Sequence, residues 1–206
     1  MIGTAILLAA GQSKRMQLLT HKGLLYWEGK TLFEHQLQML LHSVLSDIIV
    51  ILGHEAELLV NMANKYPVKT IYNENFKKGK CSSIICGLQA ADKDSEMILV
   101  TSVDQPVDSS IINQLVLSMK DTDQLIAIPI NKGKRGHPIL FSRKIFSDLL
   151  LINEKTQGLR NIIRKYKNQI IEVPIDSTLI ELNINTPEDY QNAVKRNATE
   201  EKLNNH

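Results

Sequence analysis

Five consecutive apolar residues, Ile48-Ile49-Val50-Ile51-Leu52, leave this segment with no polar face. A strand of that kind must be covered on both sides, as in a parallel sheet packed between two layers of helices. Ile2–Leu8 and Met97–Val100 are apolar in the same way. Between such runs lie longer segments with helical spacing. Leu32, Phe33, Leu37, Leu40 and Leu41 share one helical face, and Thr31 with Glu34 three residues on supplies a capping box.

The alternation continues along the chain. Helices are predicted from His54 to about Lys65, over Ser82–Ala91 with its start just after Gly79, and from Ser109 or Ser110 through Met119. Strands are predicted at Val68–Tyr72 and Leu125–Ile130, with a short extended piece at Pro138–Phe141. Helices Ser142–Leu151 and Gly158–Tyr166 follow, then strands Ile170–Val173 and Leu179–Leu182. Pro187 suits the first turn of a last helix, with Thr186 as its cap. Strands alternating with helices predict an α/β fold: three α/β/α layers around a mostly parallel sheet. In such sheets ligands bind beyond the carboxyl ends of the strands. The 206 residues suit a single domain over residues 1–195, followed by a polar tail at 196–206 that is expected to fray.

A net charge of +2 is too small to point to nucleic acid or an anionic membrane as the main partner. No apolar run approaches the length of a membrane span, and the amino terminus lacks the pattern of a signal peptide, so the expectation is a cytoplasmic protein. Cys81 and Cys86, spaced C-x4-C with no second pair, read as reduced thiols.

Charge that matters must therefore be local. After the first strand comes Leu8-Ala9-Ala10-Gly11-Gln12-Ser13-Lys14-Arg15-Met16, with Lys22 shortly beyond. Small residues let backbone approach a ligand, and Gly11 is free to adopt positive φ. Together with three cations they suit a polyphosphate, although an ordinary strand-to-helix turn has the same residues. Asp104 follows the Met97–Val100 strand closely and suits Mg²⁺, which takes one or two carboxylates plus phosphate oxygens. Gly79-Lys80-Cys81-Ser82-Ser83 precedes a helix and serves either as a base or phosphate contact or as a plain cap. Arg135 and His137 could face a second anionic substrate; a structural histidine is the plainer reading of His137. Asn183 and Asn185 alternate with Ile184, so both leave the chain on one face. Neither a Walker A loop nor G-x-G-x-x-G is present, and no G-x-S-x-G elbow surrounds Ser102.

In order along the chain, these segments resemble those of the MobA-like NTP transferases, and within them the molybdenum cofactor cytidylyltransferases that serve xanthine dehydrogenase. The carriers are Leu8–Met16, Lys22 with Leu24-Leu25, Val50–His54, Gly79–Ser83, Val103–Pro106, Arg135–Pro138 and Asn183–Asp189. The departures are Gln17 for a usual Gly, His21 for a usual Pro, a longer path from Met16 to Lys22, and Asn183 and Asn185 where Asp is common. The resemblance implies a Rossmann-like, glycosyltransferase-A-like nucleotidyltransferase fold. It implies Mg²⁺-dependent transfer of CMP from CTP to the phosphate of molybdenum-loaded molybdopterin, with release of pyrophosphate. The client of the product would be a molybdenum hydroxylase such as xanthine dehydrogenase. The roles implied are charge neutralisation by Arg15 and Lys22, and metal binding by Asp104 with Asn185. The segment Leu8, Ala9, Ala10, Gly11, Gln12 and Ser13 would cradle the phosphates. Gly79, Ser82 and Ser83 would face the base or ribose, and Arg135 and His137 the acceptor. Alternatives are GTP as donor, a sugar phosphate as acceptor, or a non-catalytic carrier of the cofactor.

Overall fold

The computed structural model describes residues 3–12, 16 and 21–204. In chain order the elements are β1 (Gly3–Ala9), β2 (Tyr26–Trp27), β3 (Lys30–Thr31), α1 (Leu32–Leu41), β4 (Asp47–Leu52), α2 (Ala56–Ala63) and β5 (Lys69–Tyr72). Next come α3 (Lys80–Ala90), β6 (Met97–Ser102), α4 (Ser109–Met119), β7 (Ile126–Asn131), β8 (Lys134–Arg135) and β9 (Ile139–Ser142). The chain ends with α5 (Phe146–Leu150), α6 (Leu159–Lys165), β10 (Ile170–Pro174) and α7 (Pro187–Asn204).

The main sheet has the order β10-β7-β9-β6-β1-β4-β5, with β8 paired to β7. β5, β4, β1 and β6 are mutually parallel, and β10 is parallel to β7. β9 runs against both β6 and β7. The chain moves outward from β1 through β4 to β5, then crosses back to place β6 on the other side of β1. That reversal opens a crevice at the carboxyl ends of β1 and β6, where Leu8 lies opposite Ser102.

The two-residue period of each strand divides the core. Ala5, Leu7 and Ala9 of β1 join Val50 and Leu99 in one cluster with Leu37 of α1, Leu59 of α2 and Ile112 of α4. Ile6 and Leu8 join Ile49, Ile51 and Ile98 in the other, with Ile84 of α3, Leu149 of α5 and Ile162 of α6. This is the two-faced burial demanded by the run Ile48–Leu52. Each such aliphatic side chain contributes roughly 1.5–3 kcal/mol on leaving water. The capping box of α1 forms as expected: Thr31 Oγ1 accepts from the Glu34 amide, and the Glu34 carboxylate accepts from the Thr31 amide.

Three features differ from expectation. Leu179–Leu182 is not a strand; Thr178–Glu181 forms a 3₁₀ turn. Ser177 Oγ accepts from the Leu179 amide, closing the backbone into a turn, while Leu179, Ile180 and Leu182 still point into the core. An apolar run alone does not separate these two ways of burying side chains. Helix α3, by contrast, starts at Lys80, just after Gly79 as expected, and the Glu154 carboxylate accepts from the Cys81 amide in its first turn. α7 continues through Asn204, beyond the start expected for the polar tail. The short β2–β3 hairpin was also not foreseen; its central residues Glu28 and Gly29 have positive φ, as a tight two-residue turn requires. No helix among the described residues is long and apolar enough to cross a membrane.

Candidate active site

The crevice over β1 and β6 is a cleft of about 480 Å³. Leu8, Ala10, Gly11 and Gln12 line one side, Asp104 and Gln105 another, and Lys22, Asn183 and Asn185 close a third. A side chain at Gly11 would meet open space, so a ligand can come close to the backbone there. Gly11 does not use the positive φ open to it, whereas Gly79 at the far wall does, at +110°. A Cβ at Gly79 would run into the Glu154 carboxylate, so both conformation and space require glycine.

Asp104 is held by its neighbours. The Val103 amide donates to the Leu8 carbonyl at 3.0 Å, and the Gln105 amide to the Ser102 carbonyl at 3.0 Å. Beneath them Gln36 of α1 is fully buried. Its Nε2 donates to the carbonyls of Ser102 and Gln105, and its Oε1 accepts from the Val107 amide. One side chain thereby pairs the Gln105 carbonyl and the Val107 amide and gives the Ser102 carbonyl a second donor. The Ile184 amide donates to the Asp104 carbonyl at 2.8 Å, fixing the terminal motif against the same turn.

Ile184 is buried, and Asn183 and Asn185 on either side of it face the cleft, the alternation expected from the sequence. Asn185 is oriented by α7. The Asp189 carboxylate accepts from the Asn185 and Thr186 amides, and Thr186 Oγ1 accepts from the Asp189 amide. Partial burial works against the Asp189 carboxylate, but these amide and hydroxyl donors outweigh it and hold its pKa below the usual carboxylate range.

Lys22 enters on a 3₁₀ turn, Lys22–Leu24, capped by His21, whose Nδ1 accepts from the Gly23 amide. His21 is buried, and burial is the main cause lowering its pKa, opposed by Glu55. The Lys22 ammonium donates to Asp104 Oδ2 at 3.0 Å and to Asn185 Oδ1 at 2.7 Å. A carboxylate oxygen and a neutral amide oxygen thus converge on one cation. That donor set fits Mg²⁺, which combines few protein oxygens with substrate phosphate oxygens and water.

The other expected site residues are distributed as follows. Ser83 is buried and lines the cleft; Ser82 does not. Ser82 Oγ lies 2.8 Å from the Gly79 carbonyl and 2.9 Å from that of Asn75, and Asn73 Nδ2 donates to both serine hydroxyls. Ala9 turns away into the α1 side of the core. Ser13 and Arg15 lie outside the described residues. Arg135 and His137 line a second cavity of about 430 Å³, which shares Lys80, Gln105 and Asn183 with the first. Arg135 is exposed and its Nε donates to Glu172 Oε1 at 2.7 Å. Burial is the main cause lowering the His137 pKa to about 4, Lys80 adds to it, and Asp104 opposes. His137 is therefore a neutral imidazole near pH 7.

Sequence reasoning missed Gln36, Asn73, Lys80 and Glu154. Gln36 carried a signal: a polar residue beside Leu37 on an otherwise apolar helical face. Lys80 carried one as well, a cation inside the Gly79–Ser83 motif. Glu154 acts through Cys81, distant in sequence, and had none; Asn73 had no marked signal although its partners Asn75, Ser82 and Ser83 lie within ten residues.

A doubly wound sheet with a cleft of amides, cations and one carboxylate at its switch point defines a nucleotidyltransferase domain. Residues 5–170 match the MobA-like NTP transferase domain, and the chain belongs to that family. It is 30% identical over 92% of its length to the molybdenum cofactor guanylyltransferase of Histophilus somni, covering 96% of that protein. It is 35% identical over half its length to the nicotine blue oxidoreductase of Paenarthrobacter nicotinovorans, and spans half of that protein. The crystal structure of Rv0371c from Mycobacterium tuberculosis superposes with a TM-score of 0.81 at 21% identity, covering 93% of this chain and 97% of that one. The same mycobacterial protein has been solved in complex with manganese, with a TM-score of 0.74 at 21% identity, covering 95% of this chain and 99% of that one.

Proposed function

We propose that this protein transfers a nucleoside monophosphate from an NTP to the phosphate of molybdenum-loaded molybdopterin, with Mg²⁺, releasing pyrophosphate. The observation that carries the reading is the convergence of Lys22, Asp104 and Asn185 in the cleft over β1 and β6. The full-length similarity to a molybdenum cofactor guanylyltransferase supports the acceptor.

The bond formed joins an acceptor phosphate oxygen to the α-phosphorus, and the bond broken is that to the bridging oxygen of the leaving pyrophosphate. The acceptor phosphate is already an anion, so no strong general base is needed. Catalysis is then positioning and charge neutralisation. Asp104 and Asn185 would hold Mg²⁺, which supplies positive charge to the phosphate oxygens. The Ala10–Gln12 backbone lies where it can receive the triphosphate. The Lys22 ammonium, held by the same two oxygens, would turn its charge toward the phosphates. The Gln105 and Asn183 amides line both cavities, and neutral His137 lines the second, which would receive the acceptor. The manganese complex of a protein with the same fold is consistent with a divalent ion in such a cleft.

CTP is the donor in this reading, on the strength of the Arg135-Gly136-His137-Pro138 stretch. GTP is the second reading, favoured by the Histophilus guanylyltransferase. The product would serve a molybdenum hydroxylase. Pyrophosphate release, measured with each of the four NTPs in turn plus Mg²⁺ and molybdopterin cofactor, separates the readings. Turnover highest with CTP supports the first, highest with GTP the second. Tight cofactor binding with no pyrophosphate from any NTP would leave a carrier.

A further inference from the structure

Two cavities meet at one cation. The nucleotide cleft and the cavity behind His137 share only three residues among those described: Lys80, Gln105 and Asn183. Gln105 and Asn183 are neutral amides, so Lys80 brings the only charge to this common wall. It is the first residue of α3 and keeps an exposed surface in the cleft, while protein crowds it from several sides. Its electrostatic neighbours come from both cavities. Asp104 and Lys22 face it from the nucleotide side, Glu154 and His137 from the other.

The remaining cations described at the two cavities have other positions: Lys77 lines only the nucleotide cleft, over the Phe76 ring. Lys22 is engaged by Asp104 and Asn185. Arg135 is paired with Glu172 at the edge of the sheet. Arg160 lines only the second cavity. Among the described residues the Lys80 ammonium forms neither an ion pair nor a hydrogen bond.

Group transfer between two phosphates brings two anions together, and their repulsion opposes approach until a cation lies between them. The place where that cation is needed is the junction of the donor and acceptor cavities. We propose that Lys80 binds the attacking phosphate of the acceptor at this junction and holds it against the donor's α-phosphate. The proposal rests on the nucleotidyl-transfer reading and adds the residue that recognises the acceptor's anionic end. The ligand class is a phosphate monoester on the body that fills the second cavity.

The test uses inorganic phosphate as the probe, titrated by calorimetry into protein already saturated with CTP and Mg²⁺, so that the triphosphate site is occupied. Wild type is compared with Lys80→Met and Lys80→Arg. Loss of one charge-assisted contact predicts that Lys80→Met weakens phosphate binding about tenfold or more, leaves CTP binding within about twofold, and is rescued by Lys80→Arg. Unchanged thermal unfolding of both variants verifies their fold. Equal phosphate affinity in wild type and Lys80→Met overturns the proposal. So does a parallel loss of CTP affinity, which would place Lys80 on the donor, and so does absence of phosphate binding to the CTP-loaded wild type. If no NTP binds the wild type, the nucleotidyl-transfer reading fails separately. The same titration on nucleotide-free protein then decides Lys80 by the ratio between wild type and Lys80→Met.

Discussion

The ammonium of Lys22 lies 3.0 Å from the Asp104 carboxylate, and this contact closes the cleft across the two halves of the sheet. Lys22 arrives from the segment after β1, and Asp104 stands at the end of β6. The same ammonium reaches Asn185 at 2.7 Å, so one cation joins three of the sequence motifs. It stands where a divalent ion would take its protein oxygens.

In the proposed reading that placement would make Lys22 a competitor of the metal in the nucleotide-free protein and a helper once nucleotide is bound. Lys22→Met is expected to tighten Mn²⁺ binding to the nucleotide-free protein, because the Asp104–Asn185 pair loses its resident cation. It is expected to lower kcat/KM for nucleotide transfer by about 100-fold or more, as for loss of one preorganised charge contact. Mn²⁺ binding followed by electron paramagnetic resonance, beside the kinetic assay, checks both halves. Weaker metal binding in the variant would contradict the first.

Gln36 is expected to be a stability residue that also sets the position of Asp104. Gln36→Leu keeps the volume but abandons the Gln105 carbonyl and the Val107 amide inside the protein and takes one of two donors from the Ser102 carbonyl. The expected cost is about 2–4 kcal/mol, from more than one buried group left unpaired. Urea denaturation reads it as a lower midpoint at unchanged slope.

His137 gives the fold a pH dependence of its own. Its folded pKa is pushed down to about 4 from an ordinary 6.5, first by burial and then by Lys80, against Asp104. Between these values the unfolded chain takes up a proton that the folded protein refuses, so stability falls as pH drops from 6.5 to about 4 and levels off below. The loss is at most about 3 kcal/mol and is reduced by the water that still reaches the ring. Denaturation curves across this range, compared with His137→Asn, should show that portion of the slope missing in the variant.

Gly136 is expected to tolerate no side chain. A Cβ there would strike the Ile180 carbonyl, the same carbonyl that accepts from the His137 amide at 2.8 Å. Gly136→Ala should cost about 1–3 kcal/mol, as overpacking does, and shift His137 within its cavity. Thermal unfolding measures the cost.

The layered fold was legible because its determinants are local. The double-faced apolar runs at Ile2–Leu8 and Ile48–Leu52, and the caps at Thr31 and Thr186, need no knowledge of distant residues. The 3₁₀ turn at Thr178–Glu181 was not legible, since Leu179, Ile180 and Leu182 are buried by a turn as well as by a strand. Lys22, Asp104 and Asn185 were picked out by chemistry and order, and the structure brings the Asp104 and Asn185 oxygens within hydrogen-bonding distance of the Lys22 ammonium. Their contact could not be read, because it depends on how β1, β6 and the start of α7 converge. Ser82 shows the opposite outcome: its motif suggested a ligand contact, yet its hydroxyl turns to Asn73, Asn75 and Gly79. Gln36 and Glu154 act through side-chain partners far along the chain, which is why the sequence marks them weakly.

The central claim is that the cleft around Asp104 transfers a nucleotide with a divalent metal. Its most direct test is pyrophosphate release from CTP with Mg²⁺ and molybdopterin cofactor, in wild type and in Asp104→Ala of verified fold. The account predicts release that requires the acceptor and falls about 100-fold or more in the variant. Release at the wild-type rate from Asp104→Ala would contradict it.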